Sequence, residues 1–419
     1  MFESKTRRNF GFYLAFHVMR YAFPLIVTPF LAHYLMKTGF GQYAVINSCV
    51  WSSVIFMDFG FYLYGINRIA YADTIDEINR EASAIVSAKI VLLPACLIVY
   101  AILAKISGVF SQSPVASAIG ALTAVGYGGT FSWYFQGRQR GGTAVIIDGA
   151  PQLVQLCLML VLIRTPDDLW IVILIQALAP LSSIVLSVMI MRREGLRLRI
   201  SLWSNQIAVA LRGANPFFVE RVCFSFYTAL TPTIVAMLAG VQAAAIYSIA
   251  DRVNIFLGSL AIPVAQTMVP VLTKGAKQDR SSWRMTIAVA SFTIGFCGLM
   301  ACIVYLTIGI IIGIFFSQTY QAAIPSARIF CIAAFVSSIA AALSNFVIIP
   351  RGASSILVWS ALTALCVSLL LQLCFIPRYG PAGGAIARLG AELMTSIILS
   401  IKAVRLYWET RTHQIEAAL

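Results

Sequence analysis

Charged side chains interrupt stretches of this chain that are otherwise apolar enough to cross a bilayer. The basic ones are Arg20, Lys89, Arg212, Arg221, Arg252, Arg328 and Arg388, and the acidic ones are Asp58, Asp148, Glu220, Asp251 and Glu392. A charge near the bilayer centre costs at least about 2.5–3.5 kcal/mol by insertion scales, so such groups face a bundle interior or an aqueous cavity. A guanidinium there can hold an anion through paired, charge-assisted hydrogen bonds. A carboxylate can carry a proton, hold an ion or neutralise a neighbouring cation. Cations outnumber anions in this set, so a cavity they line attracts an anion. The nine cysteines all fall inside apolar runs, none forms C-x-x-C, and no Cys/His cluster has metal spacing. They read as small buried hydrophobes. No catalytic residue, metal or cofactor is expected.

Each charge also has a plainer reading. Arg388 and Glu392 are four residues apart on one helix face and can neutralise each other. The doublets Glu220–Arg221 and Asp251–Arg252 are adjacent in sequence, so their members point in different directions. They either pair with one another across helices or bind substrate or an ion. Lys89 and Arg212 lie close enough to span ends to snorkel and are set aside. Arg20 lies about a turn from Pro24 and Pro29, which favours a functional role, and Arg328, two turns into its span, fits either reading.

The elements that position these groups are membrane spans. Of the 419 residues, 60% are hydrophobic and 11% charged, where a soluble domain carries about 25% charged residues. A lipid core demands about 20 apolar residues per helix, because every backbone polar group must be satisfied within the span. Runs of that length cover 10–34, 42–66, 83–104, 114–135, 143–163, 169–191, 213–238, 243–270, 285–312, 322–348, 353–376 and 382–406. The fold class is therefore all-α and polytopic, with about twelve transmembrane helices in two six-helix bundles, over 1–206 (basic linker included) and 207–419. The gaps between spans are too short to bury a core, which excludes a soluble catalytic module. The basic N-terminus (Lys5, Arg7, Arg8) leads into an apolar run too long for a signal peptide, and it reads as an uncleaved first span.

The tails and the connections after even-numbered spans hold roughly 19 Lys and Arg, against four (Lys37, Lys105, Arg164, Arg378) on the other side. That asymmetry predicts cytoplasmic termini. Most of the net charge of +14 is then orientation signal and attraction to membrane lipid, so nucleic acid is not an expected partner. Pro24 and Pro29, Pro216 and Pro232, and Pro263 and Pro270 interrupt spans 1, 7 and 8. "TPFLAHYLMKTGFGQYAV" from Thr28 and "TPTIVAMLAGVQAAAIYSI" from Thr231 hold the same place in the two halves. Internal duplication, broken helices and midplane charges together predict an alternating-access transporter.

Five fragments, in order along the chain, carry a family resemblance. "FGQYAVINS" (40–48), "DFGFYLYGINRIA" (58–70), "WYFQGRQR" (133–140), "AIYSIADRV" (245–253) and "IPRYGPAGGAIARLGAE" (376–392) resemble the Wzx-type polysaccharide flippases. These belong to the multidrug/oligosaccharidyl-lipid/polysaccharide exporter superfamily. The stretch "FFSQTYQAAIPSARIF" fits the same pattern but lacks acidic residues. The resemblance implies a V of two bundles around a central cavity. It also implies a polyprenyl-diphosphate-linked oligosaccharide as substrate, carried across the bacterial cytoplasmic membrane for O-antigen or exopolysaccharide synthesis. Arg20, Arg221, Arg252, Arg328 and Arg388 would then be substrate-binding cations. Asp58, Asp148, Glu220, Asp251 and Glu392 would couple an ion or pair with them, and Arg68 and Arg138 would mark the cytoplasmic gate. Trp51, Tyr62, Tyr127, Trp133 and Tyr227 are candidates for stacking on sugars. A polysaccharide polymerase and a chain-length regulator are the implied protein partners. The alternatives are a multidrug or lipid II exporter of the same superfamily and, in another class, a membrane glycosyltransferase or polymerase, whose large extramembrane loops are missing here.

Overall fold

The computed structural model describes residues 26–203, 205–278, 282–353 and 355–416. Among these, ten helical segments are long and apolar enough to cross a membrane, and no strand occurs. The chain divides into two compact units, Met1–Met237 and Leu238–Leu419.

In the first unit a helix over 26–34 is followed by α1 (Met36–Asp58), α2 (Phe61–Ala70), α3 (Ile75–Ile106), α4 (Pro114–Gly128), α5 (Ser132–Gly137), α6 (Gly141–Leu162), α7 (Leu169–Arg193), α8 (Asn205–Thr228) and α9 (Thr231–Ala239). The second unit holds α10 (Val241–Ser259), α11 (Ile262–Gln278), α12 (Ser282–Phe315), α13 (Ala323–Ala342), α14 (Ser355–Tyr379) and α15 (Pro381–Glu416).

Several helices outrun their apolar stretches. α3 begins at Ile75, eight residues before the expected span, because Thr74 starts it. The Thr74 hydroxyl accepts from the Glu77 N–H at 3.3 Å, and the Glu77 carboxylate accepts from the N–H groups of Asp73 and Thr74. This reciprocal cap satisfies donors that a helix start leaves orphaned, and Asp76 and Glu77 suit the positive end of the dipole.

Four expected single spans are broken, 213–238 between α8 and α9 and 243–270 between α10 and α11 among them. The stretch 42–66 divides between α1 and α2, where Phe59 (φ +43°) and Gly60 (φ +77°) take left-handed conformations. Gly60 is doubly constrained. A Cβ there would lie 2.7 Å from the Phe217 Cβ and 2.9 Å from the Phe218 N, so α8 crosses at backbone distance. The stretch 114–135 divides between α4 and α5 at residues 129–131. The prolines of these spans divide, with Pro29 inside the helix over 26–34 and Pro270 inside α11. Pro232 and Pro263 are each the second residue of a helix, α9 and α11, where the missing N–H costs nothing. Pro216 lies inside α8, and Pro24 lies outside the described residues.

In the first unit, Phe61, Ile85, Trp133, Tyr134 and Phe135 are enclosed between α2, α3 and α5. In the second unit, one cluster comprises Leu257, Ala301, Cys331 and Ala334. Five of the nine cysteines are buried as expected, whereas Cys157, Cys302, Cys366 and Cys374 are exposed.

Candidate functional site

The first unit gathers three of the intramembrane charges. Asp58 ends α1, one residue before the left-handed break. Lys89, on α3, brings its Nζ within 3.6 Å of Asp58 Oδ1. The same ammonium donates to the carbonyls of Gly128 (2.9 Å) and Thr130 (3.3 Å). The Gly128 carbonyl ends α4, the negative end of a helix dipole, and Thr130 follows it in the break before α5. One buried lysine thus neutralises a carboxylate and caps a neighbouring helix. Arg221, from α8, completes the group with a terminal guanidinium nitrogen 3.8 Å from Asp58 Oδ2. Asp58 Oδ2 is buried and makes no hydrogen bond among the described residues. The Lys89 side chain is 6% exposed and that of Arg221 47%, so Arg221 keeps a free face that Lys89 lacks.

Lys89 is a correction to the sequence reading, which let it snorkel. Because α3 starts at Ile75, Lys89 lies in the fourth turn and cannot reach a helix end. The signal was present in "SAKIVLLPAC", a lone lysine with apolar residues on both sides.

The other charges of this unit find local partners. Asp148 accepts from the Ser132 hydroxyl at 2.5 Å, tying α6 to α5. Arg68 donates twice to Glu81, at 2.5 and 3.1 Å. At the end of α5, Arg140 pairs with Glu194, which also accepts from the Tyr134 hydroxyl at 2.9 Å. Arg138, the expected gate residue two positions earlier, is exposed, as is Arg212. Arg20 and the side chain of Glu220 lie outside the described residues.

In the second unit, Arg388 and Glu392 form the expected pair along α15, at 2.8 Å. Glu392 is buried. Asp251, half-buried on α10, lies within electrostatic reach of Arg388 and Arg252 and close to the Asn254 side chain. Arg252 Nε is buried and has no hydrogen-bond partner among the described residues. Arg328 is exposed, with its guanidinium 5.5 Å from the Tyr305 ring centre. Arg221 thus pairs with Asp58 in its own unit, and Asp251 lies within electrostatic reach of Arg388 in its own.

The aromatic candidates divide. Trp133 is fully enclosed, its indole N–H donating to the Thr130 carbonyl, and Tyr227 is buried, so neither presents a face to a sugar. Trp51 is exposed and packs on Tyr127, ring centres 4.6 Å apart. The Tyr62 hydroxyl donates to Gln136 Oε1 at 2.9 Å. Chemically, these groups can bind and exchange ionic partners. They include no nucleophile–base pair, and the described residues hold no cluster suited to a metal.

Two solved structures share the architecture. An inward-facing multidrug resistance MATE family transporter of the MOP superfamily superposes with a TM-score of 0.64, at 13% identity over 92% of this chain and 98% of that one. The lipid II flippase MurJ, in an inward closed conformation, gives 0.60 at 13% identity, over 88% of this chain and 87% of its own. The fold is thus that of these polytopic transporters. In sequence, the chain is 25% identical to a Shigella dysenteriae protein provisionally named an O-antigen transporter, over 95% of this chain and all of that protein. A protein of Escherichia coli (strain K12) with the same provisional name is 22% identical over 94% and 95% of the two chains. Residues 6–276 match the family described as polysaccharide biosynthesis protein, and the chain belongs to that family.

Proposed function

We propose that this protein flips a polyprenyl-diphosphate-linked oligosaccharide repeat unit across the bacterial cytoplasmic membrane by alternating access, for surface polysaccharide synthesis. The observation that carries the reading is the pair of ionic clusters at membrane depth, one in each unit, each containing arginine. Sugars on a diphosphate are too polar to cross lipid unaided, while a polyprenyl tail remains in the bilayer. Arg221, with its half-exposed guanidinium held loosely by Asp58, and Arg252 and Arg388 in the second unit supply the diphosphate's cations. Arg20 and Arg328 are assigned the same role. Asp58, Asp148, Glu220, Asp251 and Glu392 hold these cations between substrates or couple an ion to transport, and Arg68 and Arg138 stand at the cytoplasmic gate. The two relatives provisionally named O-antigen transporters support this substrate class.

The transport halves are assigned as 1–206 and 207–419, with both termini cytoplasmic on the distribution of Lys and Arg. The protein is a carrier rather than an enzyme, and a polymerase and chain-length regulator would use the repeat units it delivers.

The experiment is to measure the lipid-linked oligosaccharide in the cytoplasmic leaflet of a strain lacking the protein. Accumulation there, with surface polysaccharide lost and restored by the wild type but not by Arg221→Ala at equal expression, is the expected result. An unchanged leaflet content, with altered drug resistance instead, overturns it.

A further inference from the structure

The segment after α7 is built too regularly to be slack chain. α7 closes with Arg192 and Arg193, and Gly195 turns the chain at φ +85°. The Leu196 N–H donates back to the Met191 carbonyl at 3.0 Å. This is the glycine-terminated helix end in which the following apolar residue packs inward, and Leu196 is buried. From there the chain runs extended along α3. The N–H groups of Arg197, Arg199 and Ser201 donate to Asn79 Oδ1 (2.8 Å), Ser83 Oγ (3.0 Å) and Ser87 Oγ (3.1 Å).

The two periods match. Two residues of extended chain advance about 6.6 Å, and four residues of helix advance about 6.0 Å. Every second N–H therefore meets a polar side chain on every fourth residue of α3. The route starts beside the charged first turns of α3 (Asp76, Glu77, Arg80, Glu81) and ends at Ser87, within its apolar stretch. Such a path leaves water for lipid, where unpaired N–H groups are costly and side-chain acceptors become necessary.

Its outward side chains have the composition of a membrane interface. Arg192, Arg193, Arg197 and Arg199 are exposed. The acid among them, Glu194, is taken by Arg140 and Tyr134. Beyond them Ile200 and Leu202 are exposed, and Trp203 is 97% exposed. Tryptophan settles at the head-group level of a bilayer, and arginines near that surface attract anionic lipid.

We propose that residues 192–203 form a strap seated on α3 that binds anionic phospholipid head groups, with Trp203 anchored in the interface. The four arginines face the phosphates, and the serine–asparagine ladder fixes the strap's depth. This assignment is independent of the transported substrate.

The full-length protein, reconstituted in mixed phosphatidylcholine and phosphatidylglycerol, tests it through two readouts. Native mass spectrometry after extraction counts the lipid retained. The wild type keeps phosphatidylglycerol in preference to phosphatidylcholine, and Arg197→Gln/Arg199→Gln weakens that retention about fivefold per arginine. Brominated phosphatidylglycerol then quenches a part of the tryptophan emission that Trp203→Phe removes. These residues are exposed and the ladder uses only their backbone, so the variants fold. Equal retention by wild type and variant, or Trp203 emission untouched by the brominated lipid, overturns the proposal. A soluble protein partner on the strap gives that second pattern.

Discussion

The two units keep ions at membrane depth in different ways. In the first, Asp58, Lys89 and Arg221 come from three helices, and Lys89 also caps a fourth through the Gly128 carbonyl. In the second, the closest pair, Arg388–Glu392, lies on a single helix. The sequence duplication sharpens the contrast. Tyr43 follows the left-handed Met36 by seven residues, as Tyr247 follows Gly240. Four residues past each tyrosine stand Asn47 and Asp251. Asn47 accepts from Gln176, seven residues into α7, while Asp251 faces Arg388, seven residues into α15. Equivalent places thus hold a neutral amide pair in one unit and opposite charges within electrostatic reach of each other in the other. Charge in the first unit fastens helices together, whereas the close ion pair of the second unit lies within one helix.

The largest expected effect tests the fastening. Lys89→Met leaves Asp58 with only Arg221 at 3.8 Å, strips the Gly128 carbonyl of its ammonium donor and leaves that of Thr130 with the Trp133 indole alone. Removing one partner of a buried pair costs about 3–5 kcal/mol. Thermal unfolding of the purified protein in detergent should show that loss, and Asp58→Asn added to Lys89→Met should recover part of it. A Lys89→Met protein as stable as the wild type would remove the first half of the comparison.

In the second unit a smaller loss is expected. Glu392→Gln gives up a charge-assisted bond but keeps an acceptor near Arg388, for about 1.5–3 kcal/mol. Removing three of the charges together (Asp251→Asn, Arg388→Gln, Glu392→Gln), with Arg252 kept, should recover part of that loss, because removing partners together costs less than stranding one of them. Transport should nonetheless be lost. A stable triple variant that still restores surface polysaccharide would show that these charges serve no substrate.

The membrane class and most span positions were legible from apolar runs, and so was the Arg388–Glu392 pair, which follows from helical spacing alone. The breaks were only half legible. Pro232 and Pro263 marked two of them, but Phe59 takes a left-handed conformation no proline announces, and Gly60 is selected by the crossing of α8, a tertiary fact. Lys89 was misplaced because its span was judged by hydropathy, while the start of α3 is set by the polar cap at Thr74. The partners of Arg221 and Asp251 lie far along the chain, and no local spacing encodes them. The strap was visible only as basic charge, since its seat on Asn79, Ser83 and Ser87 depends on two periods matching in space.

The smallest expected effect extends the comparison to the helix ends. In the first unit Arg68 meets Glu81 as an ion pair, with the arginine side chain 47% exposed. In the second, Arg351 lies 3.6 Å from the centre of the Trp283 ring and donates to the carbonyls of Phe346 and Val347, and Trp283 packs edge-on against Tyr407. An exposed ion pair contributes about 0.2–1 kcal/mol, whereas a desolvated cation–π contact reaches about 2 kcal/mol. Arg351→Met should therefore cost more than Arg68→Met. Salt separates them further, since at 1 M the screening length falls to about 3 Å. The cost of Arg68→Met should then vanish while that of Arg351→Met persists, because a ring quadrupole in contact with a guanidinium leaves no room for intervening ions. Unfolding of both variants at low and high salt reads the difference. Equal salt sensitivity would mean that the two units close their ends by the same electrostatics.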